Sequence, residues 1–345
     1  MAFHHAVQRL LLTGMRLPMP SVPARTPQPA ALTPLIEAIA PAHRAFNLRA
    51  IEYGDRYRSA FWAIYLLIAL AVLCAGLPLA LGWADAEHAL HNFSTVWVMT
   101  EVILIIAVGL IYWRGHREDW QGQWLAARTQ AELTWYLPLI APLVDFADKP
   151  HAVNWYACLN RPGQELEAGD DFDGVCRANR QLARTLLGSA WTDPAFIVDY
   201  ARWTVSILEG QRHYHHHVAL RQHALQHRVH TITAWLFVMT GLAALAHLLV
   251  HSNALTLATM FFPALGASLH GALAQSEAYR LEAASERLAM ELGKLIDPVK
   301  ATLTADDPLA TVEVLRGAVL SAVSLILDEH QDWHMLVRPH HLPLG

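Results

Sequence analysis

The sequence predicts an all-α integral membrane protein with four transmembrane helices in two hairpins plus cytoplasmic helical segments. Four apolar runs occur in two closely spaced pairs, 61–82 with 95–113 and 231–250 with 254–274. Each run is long enough to cross a hydrocarbon core of about 30 Å as a helix rising about 1.5 Å per residue. The basic clusters flanking these runs share one side of the membrane. No stretch alternates apolar and polar residues with the strand period of two.

Six segments follow in order. Residues 1–32 are predicted as a flexible N-terminal segment: 2–15 as a short amphipathic helix lying on the membrane, and 17–30, rich in proline and small residues, as a linker. The opening MAFHHAVQRLLL has too small an apolar core before the prolines to be a cleaved signal peptide. Residues 33–60 form a helix leading into the first span, and 61–113 the first hairpin. Residues 114–230 form a cytoplasmic helical domain. It opens with a helix continuing out of the membrane, on which Trp120, Trp124, Ala127 and Ala131 recur at helical spacing and Arg128 pairs with Glu132. Loop signals fall at 148–151 and 160–174, and helical patterns at 175–188 and 194–228. Residues 231–274 form the second hairpin, and 275–345 the cytoplasmic C-terminal helices. The stretch after the fourth span resembles the one after the second, which gives a weak repeat of hairpin then charged stalk. A break is predicted over 297–304 at Asp297-Pro298, with a further helix over 307–330.

Hydrophobic residues make up 54% of the 345, above the usual 45–50% or so, and the excess sits in the four runs. The net charge of −5 argues against a nucleic-acid-coating protein. Arg44, Arg49, Arg56 and Arg58 precede the first span and Arg114 and Arg117 follow the second. Arg212, Arg221 and Arg228 precede the third, and Arg280, Arg287 and Lys294 follow the fourth. The short loops 83–94 and 251–253 hold no Lys or Arg. The positive-inside rule then places both termini and the middle segment in the cytoplasm. Cys74, Cys158 and Cys176 form no CxxC pair and suit reduced thiols.

Chemistry-bearing residues are few. Glu101 lies inside the second span; it is either a pore-mouth carboxylate or a glutamate satisfied by a neighbouring helix. Thr240, His247 and Thr259 are candidate pore-lining residues, although hydroxyls in spans also bond back to their own helix. Pro263, Gly266 and Ser268 form a candidate gate: Pro263 removes a backbone hydrogen bond, and the small residues around it let helices approach, within one chain or between chains. Arg177, Arg180 and Arg184 form a basic stripe that could dock an anionic nucleotide or pair with the acidic loop before it. His213 and His217 share a helix face, as do His223 and His227, but no further ligands accompany them, so no metal site is predicted. No P-loop, GxGxxG, GxSxG or paired-cysteine zinc motif occurs, so neither an enzyme nor a cofactor is expected.

The stretches RYRSAFWAIYLLIALAVLCAGLPLAL, WQGQWLAARTQAELTWYLPL, HAVNWYACLN, GQRHYHHH and FFPALGASLHGALAQSEAYRLEAASERLAMEL resemble SLATT proteins, the SMODS- and SLOG-associating two-transmembrane effector domains of bacterial nucleotide-signalling systems. The resemblance covers roughly residues 45–345 and rests on pattern and order. It implies a pore-forming antiviral effector that disrupts the inner membrane. Opening would follow a nucleotide or oligonucleotide second messenger, or a separate sensor or nucleotide-synthesising protein. Residues 1–44 are too short for the sensor domain many relatives carry. The partners expected are therefore the lipid bilayer, further copies in a homo-oligomer, and that signal. The rival readings are a membrane anchor recruiting a soluble enzyme and a transporter of small molecules or lipids.

Overall fold

Two long helices set the architecture. The computed structural model describes residues 2–15, 26–144, 169–250, 252–305 and 308–337, and among them every regular element is helical. Helix α1 is Phe3–Leu11, followed by a short 3₁₀ turn, Ala30–Leu32. Helix α2, Thr33–Ala80, has 48 residues and so runs about 70 Å. It joins the predicted leading helix and first span without interruption. Helix α3 is His91–Arg117 and α4 is Trp120–Ile140. Helices α5, Gly169–Ala178, and α6, Arg180–Thr192, are short. Helix α7, Pro194–Leu249, has 56 residues and runs about 85 Å. Helices α8, Asn253–Gln275, α9, Ala278–Ala305, and α10, Pro308–Val337, complete the chain.

Each long helix is apolar at its C-terminal end and mixed at its N-terminal end. The molecule therefore divides into an apolar layer and a head. In the layer α3 packs on α2, α2 on α8, and α8 on α7. The helices stand in the row α3–α2–α8–α7. Their most apolar stretches are 33% and 28% buried in α2 and α8, but only 6% in α3 and in α7. The outer two present Ile103, Ile106, Leu110, Phe237, Leu242 and Leu245 outward. An exposed apolar surface of this extent is stable only against lipid or another protein. Several helices are thus long and apolar enough to cross a membrane, as the sequence predicts.

The head has its own core. Leu32, Leu35 and Ile39 meet Leu133, Tyr136 and Leu137 of α4, Tyr200 and Leu208 of α7, Leu292 and Ile296 of α9, and Leu315, Val319 and Val323 of α10. The Tyr200 hydroxyl donates to the Leu139 carbonyl oxygen, and burial pushes its pKa up. A second cluster lies at the boundary of layer and head. It joins Tyr57, Phe61 and Trp62 of α2 to Trp120 of α4, Leu225 and Val229 of α7, and Leu269 and Leu273 of α8.

Several boundaries differ from the sequence reading. The helices do not continue straight out of the hairpins. At each junction one residue is left-handed, Asp119 at φ 44° between α3 and α4, and Glu277 at φ 53° between α8 and α9. Two equivalent turns give the predicted repeat a structural form: long inbound helix, return helix, left-handed acidic residue, stalk. The break expected at 297–304 is absent, because Ile296 and Val299 flank Pro298 and are buried in the head, which holds α9 through the missing hydrogen bond. Part of the 160–174 loop is helix, since α5 starts at Gly169. The predicted loop at 148–151, most of 160–174 and Cys158 lie outside the described residues, as does much of the 17–30 linker. Helix α1 forms as expected but docks on α2 and α7, with His4 and Leu11 buried. A fifth apolar stretch, Ala310–Asp328 in α10, also has the length and composition of a span.

Candidate functional site

A cavity of about 380 Å³ opens at the boundary of layer and head, between α1, α2, α4, α7 and the start of α9. Three guanidinium groups from three helices line it: Arg58, Arg128 and Arg221. Arg58 stacks over Trp124 with its Cζ 5.3 Å from the ring, and its Nη2 lies 3.6 Å from Asp55 Oδ1. Arg128 pairs with Glu132 on its own helix, as the spacing predicts. Arg221 Nη2 donates to Gln8 Oε1 at 2.7 Å, which ties α7 to α1. Tyr57, Phe61 and Tyr214 supply aromatic wall, and Gln275 Nε2 donates to the Tyr57 hydroxyl at 3.0 Å.

Arg58 Nε and Ser285 Oγ, both in the cavity wall, are buried without a hydrogen-bond partner among the described residues. An unsatisfied buried donor is costly, so such atoms beside a cavity mark a place where a ligand or water completes the bonding. Planar guanidinium donors over an aromatic floor suit a phosphate-bearing group with a flat ring attached. Burial, opposed by Asp55, lowers the pKa of Arg58. His4 and His5 stand at the edge of the cavity. Burial first, then Arg58 and His5, push His4 down to about 4, against the opposing pull of Asp55. His5 is also lowered, chiefly by burial. A second cavity of about 520 Å³ lies within the head, around His43, Trp135 and Trp203. Among the described residues, its walls carry no Arg, Lys, Asp or Glu.

The predicted site residues lie elsewhere. Glu101 is on the face of α3 turned to α2, within electrostatic reach of Cys74. Thr240 and Thr259 donate back to the carbonyl oxygens of Leu236 and Thr256 on their own helices. His247 sits on the same side of α7 as Thr240 and Ala243. Gly266 and Ser268 are buried, with Gly266 close against Thr233 of α7, so they serve packing within the chain. Pro263 is exposed, and α8 runs through it unbroken. Arg177 and Arg184 are exposed, and the stripe they form with Arg180 is divided between α5 and α6 by a turn at Asn179. None of the three lines either cavity. The α7 histidines diverge: His215 faces the first cavity, His223 Nδ1 lies 2.8 Å from Glu282 Oε1, and His230 meets Tyr279 and His270.

Fold and site together define an all-helical protein with membrane-spanning potential and a basic cavity at the foot of its apolar layer. No protein-family model matches the chain, and neither a curated protein nor a solved structure does.

Proposed function

We propose that this protein is a ligand-gated membrane effector of bacterial antiviral defence, similar in role to SLATT proteins, whose copies join to form a conduit across the inner membrane. Four helices cross, with both termini cytoplasmic. The fifth apolar stretch is 56% buried, with Leu315, Val319, Val323 and Ile326 in the head core, which supports reading α10 as a core helix and not a span. The observation that carries the conduit is the open row α3–α2–α8–α7. Within the chain an inbound helix, α2, packs on a return helix, α8. The row ends with a return helix, α3, on one side and an inbound helix, α7, on the other. A second copy can repeat the same kind of contact there, and a head-to-tail contact of this kind closes into a ring where the rotation allows.

The basic cavity is the receptor for the signal, taking a phosphate-bearing ligand such as a nucleotide or oligonucleotide, made by a separate partner. It replaces the Arg177, Arg180 and Arg184 stripe as the favoured ligand site, because its arginines converge. It also sits where α2 and α7 leave the head for the layer, so a ligand drawing Arg58 and Arg221 together acts on both long helices. Purified protein in liposomes tests this. Solute flux should rise with a nucleotide ligand and lose that response in Arg58→Ala or Arg221→Ala, at fixed content of anionic lipid. Absence of flux with every nucleotide tried counts against the conduit.

A further inference from the structure

His4 and His5, in the first turn of α1, face Asp55 of α2. His4 Nε2 lies 3.8 Å and His5 Nε2 3.6 Å from Asp55 Oδ1, and the two imidazole centroids are 4.0 Å apart. One ligand atom from each of the three residues lies within 4.8 Å of the other two. A tetrahedral ion holding nitrogen and oxygen at about 2.0–2.1 Å sets neighbouring donors roughly 3.4 Å apart. Both histidine-to-carboxylate distances are therefore within a few tenths of an ångström of that spacing, and the two imidazole nitrogens lie within 4.8 Å of each other. The outer partner of His4 is also in place. Its Nδ1 lies 3.2 Å from Ser59 Oγ, and its backbone N–H donates to the same oxygen at 3.4 Å. Ser59 Oγ can either donate to Nδ1 or accept from it; in the tautomer in which Nδ1 carries the proton, the Nε2 lone pair points at a carboxylate. That pairing is repulsive unless a cation lies between them. A ring nitrogen oriented through its far side in this way is the usual support of a histidine ligand.

We propose that His4, His5 and Asp55 form a binding site for a divalent transition-metal ion of the zinc class, which fastens α1 to α2 at the edge of the basic cavity. Two imidazoles and one carboxylate suit such an ion, and they leave a fourth position for water or for an anion's oxygen. Arg58 is the main competitor for Asp55, but its 3.6 Å separation is long for a charge-assisted hydrogen bond. Arg221 and Arg9 add positive charge nearby, which an anion in the fourth position offsets. The site does not depend on the conduit reading, since it concerns only how α1 is held.

The test uses the full chain in detergent, stripped with a chelator and titrated with zinc against a chromophoric competitor. The wild type should hold one ion per chain that His5→Ala and Asp55→Asn bind at least tenfold more weakly, and that ion should slow tryptic removal of the first residues. Cobalt(II) loading of the wild type should give the visible bands of a four-coordinate ion. That measurement holds even if a variant fails to fold. A His216→Ala,His217→Ala variant should keep the ion. Equal zinc binding by wild type, His5→Ala and Asp55→Asn overturns the proposal. So does loss of the ion in the His216→Ala,His217→Ala variant, or a six-coordinate cobalt spectrum.

Discussion

At the scale of single residues, close approach of helices decides which substitutions matter. A Cβ on Gly271 would overlap the ring of Tyr65, an aromatic side chain of α2 that cannot swing aside without disturbing the collar of packed residues around it. A Cβ on Gly76 would come within 2.6 Å of Leu257 Cδ1, the tip of a side chain that can rotate. Gly109 of α3 has open space around it. Gly271→Ala is therefore expected to cost about 1–3 kcal/mol, Gly76→Ala less, and Gly109→Ala nothing, measured by thermal unfolding in one detergent. The small-residue pattern of α8 is legible in the sequence, but not what it packs on. Gly266 and Gly271 meet Thr233 and Tyr65 of the same chain. The cavity arginines were harder still to foresee. Arg58, Arg128 and Arg221 are far apart in sequence, and each has an ordinary reading alone, as a flanking positive charge or a helix pair. Only the packing of α2, α4 and α7 brings them to one cavity. His4 and His5 gave no metal signal for the same reason, because Asp55 lies on another helix.

At the scale of elements, the two junctions between return helix and stalk are the informative ones. Asp119 accepts a hydrogen bond from the Gly122 backbone N–H at 3.2 Å, so its left-handed conformation doubles as a helix cap. Glu277 has an ion pair with Arg280 at 3.5 Å. A β-branched residue cannot adopt this backbone cheaply, whereas glycine can. Glu277→Val is expected to destabilise by about 1–2 kcal/mol and Glu277→Gly by little or nothing, read from the shift in unfolding midpoint. Helical periodicity made the elements themselves legible. The turns were not, because the left-handed positions hold Asp119 and Glu277, neither of them the Gly that marks such a turn, and no Pro lies at either junction. Pro298 misled in the opposite direction, since burial of its neighbours outweighs one lost hydrogen bond. Helix α10 offers a direct check on which apolar stretch belongs to the head. Val323→Asp places an unpaired carboxylate in the head core, so it should cost several kcal/mol and abolish a cooperative transition.

At the scale of the whole molecule, the unequal burial of four apolar helices is the leading fact. The hairpins and their one-sided charge are written in the sequence as composition. Their lateral order is not, because it depends on contacts between α2 and α8, which meet at Tyr65 and Gly271, more than 200 residues apart. Cysteines placed at Ile106 of α3 and Phe237 of α7, in a chain freed of its own cysteines, test the row. Oxidation should give a ladder of covalent multimers, whereas the same residue pair joined only within the chain would leave a monomer band. Placing both cysteines on α3 should give no ladder beyond a dimer. The two rims of the row are unlike. A chain with a spoiled α7 rim and an intact α3 rim can still engage one neighbour, and growth halts at that point. Under the proposed head-to-tail assembly, such a chain co-expressed as a minority would act as a terminator that silences many intact subunits, and the defect is expected to be dominant and not merely diluted.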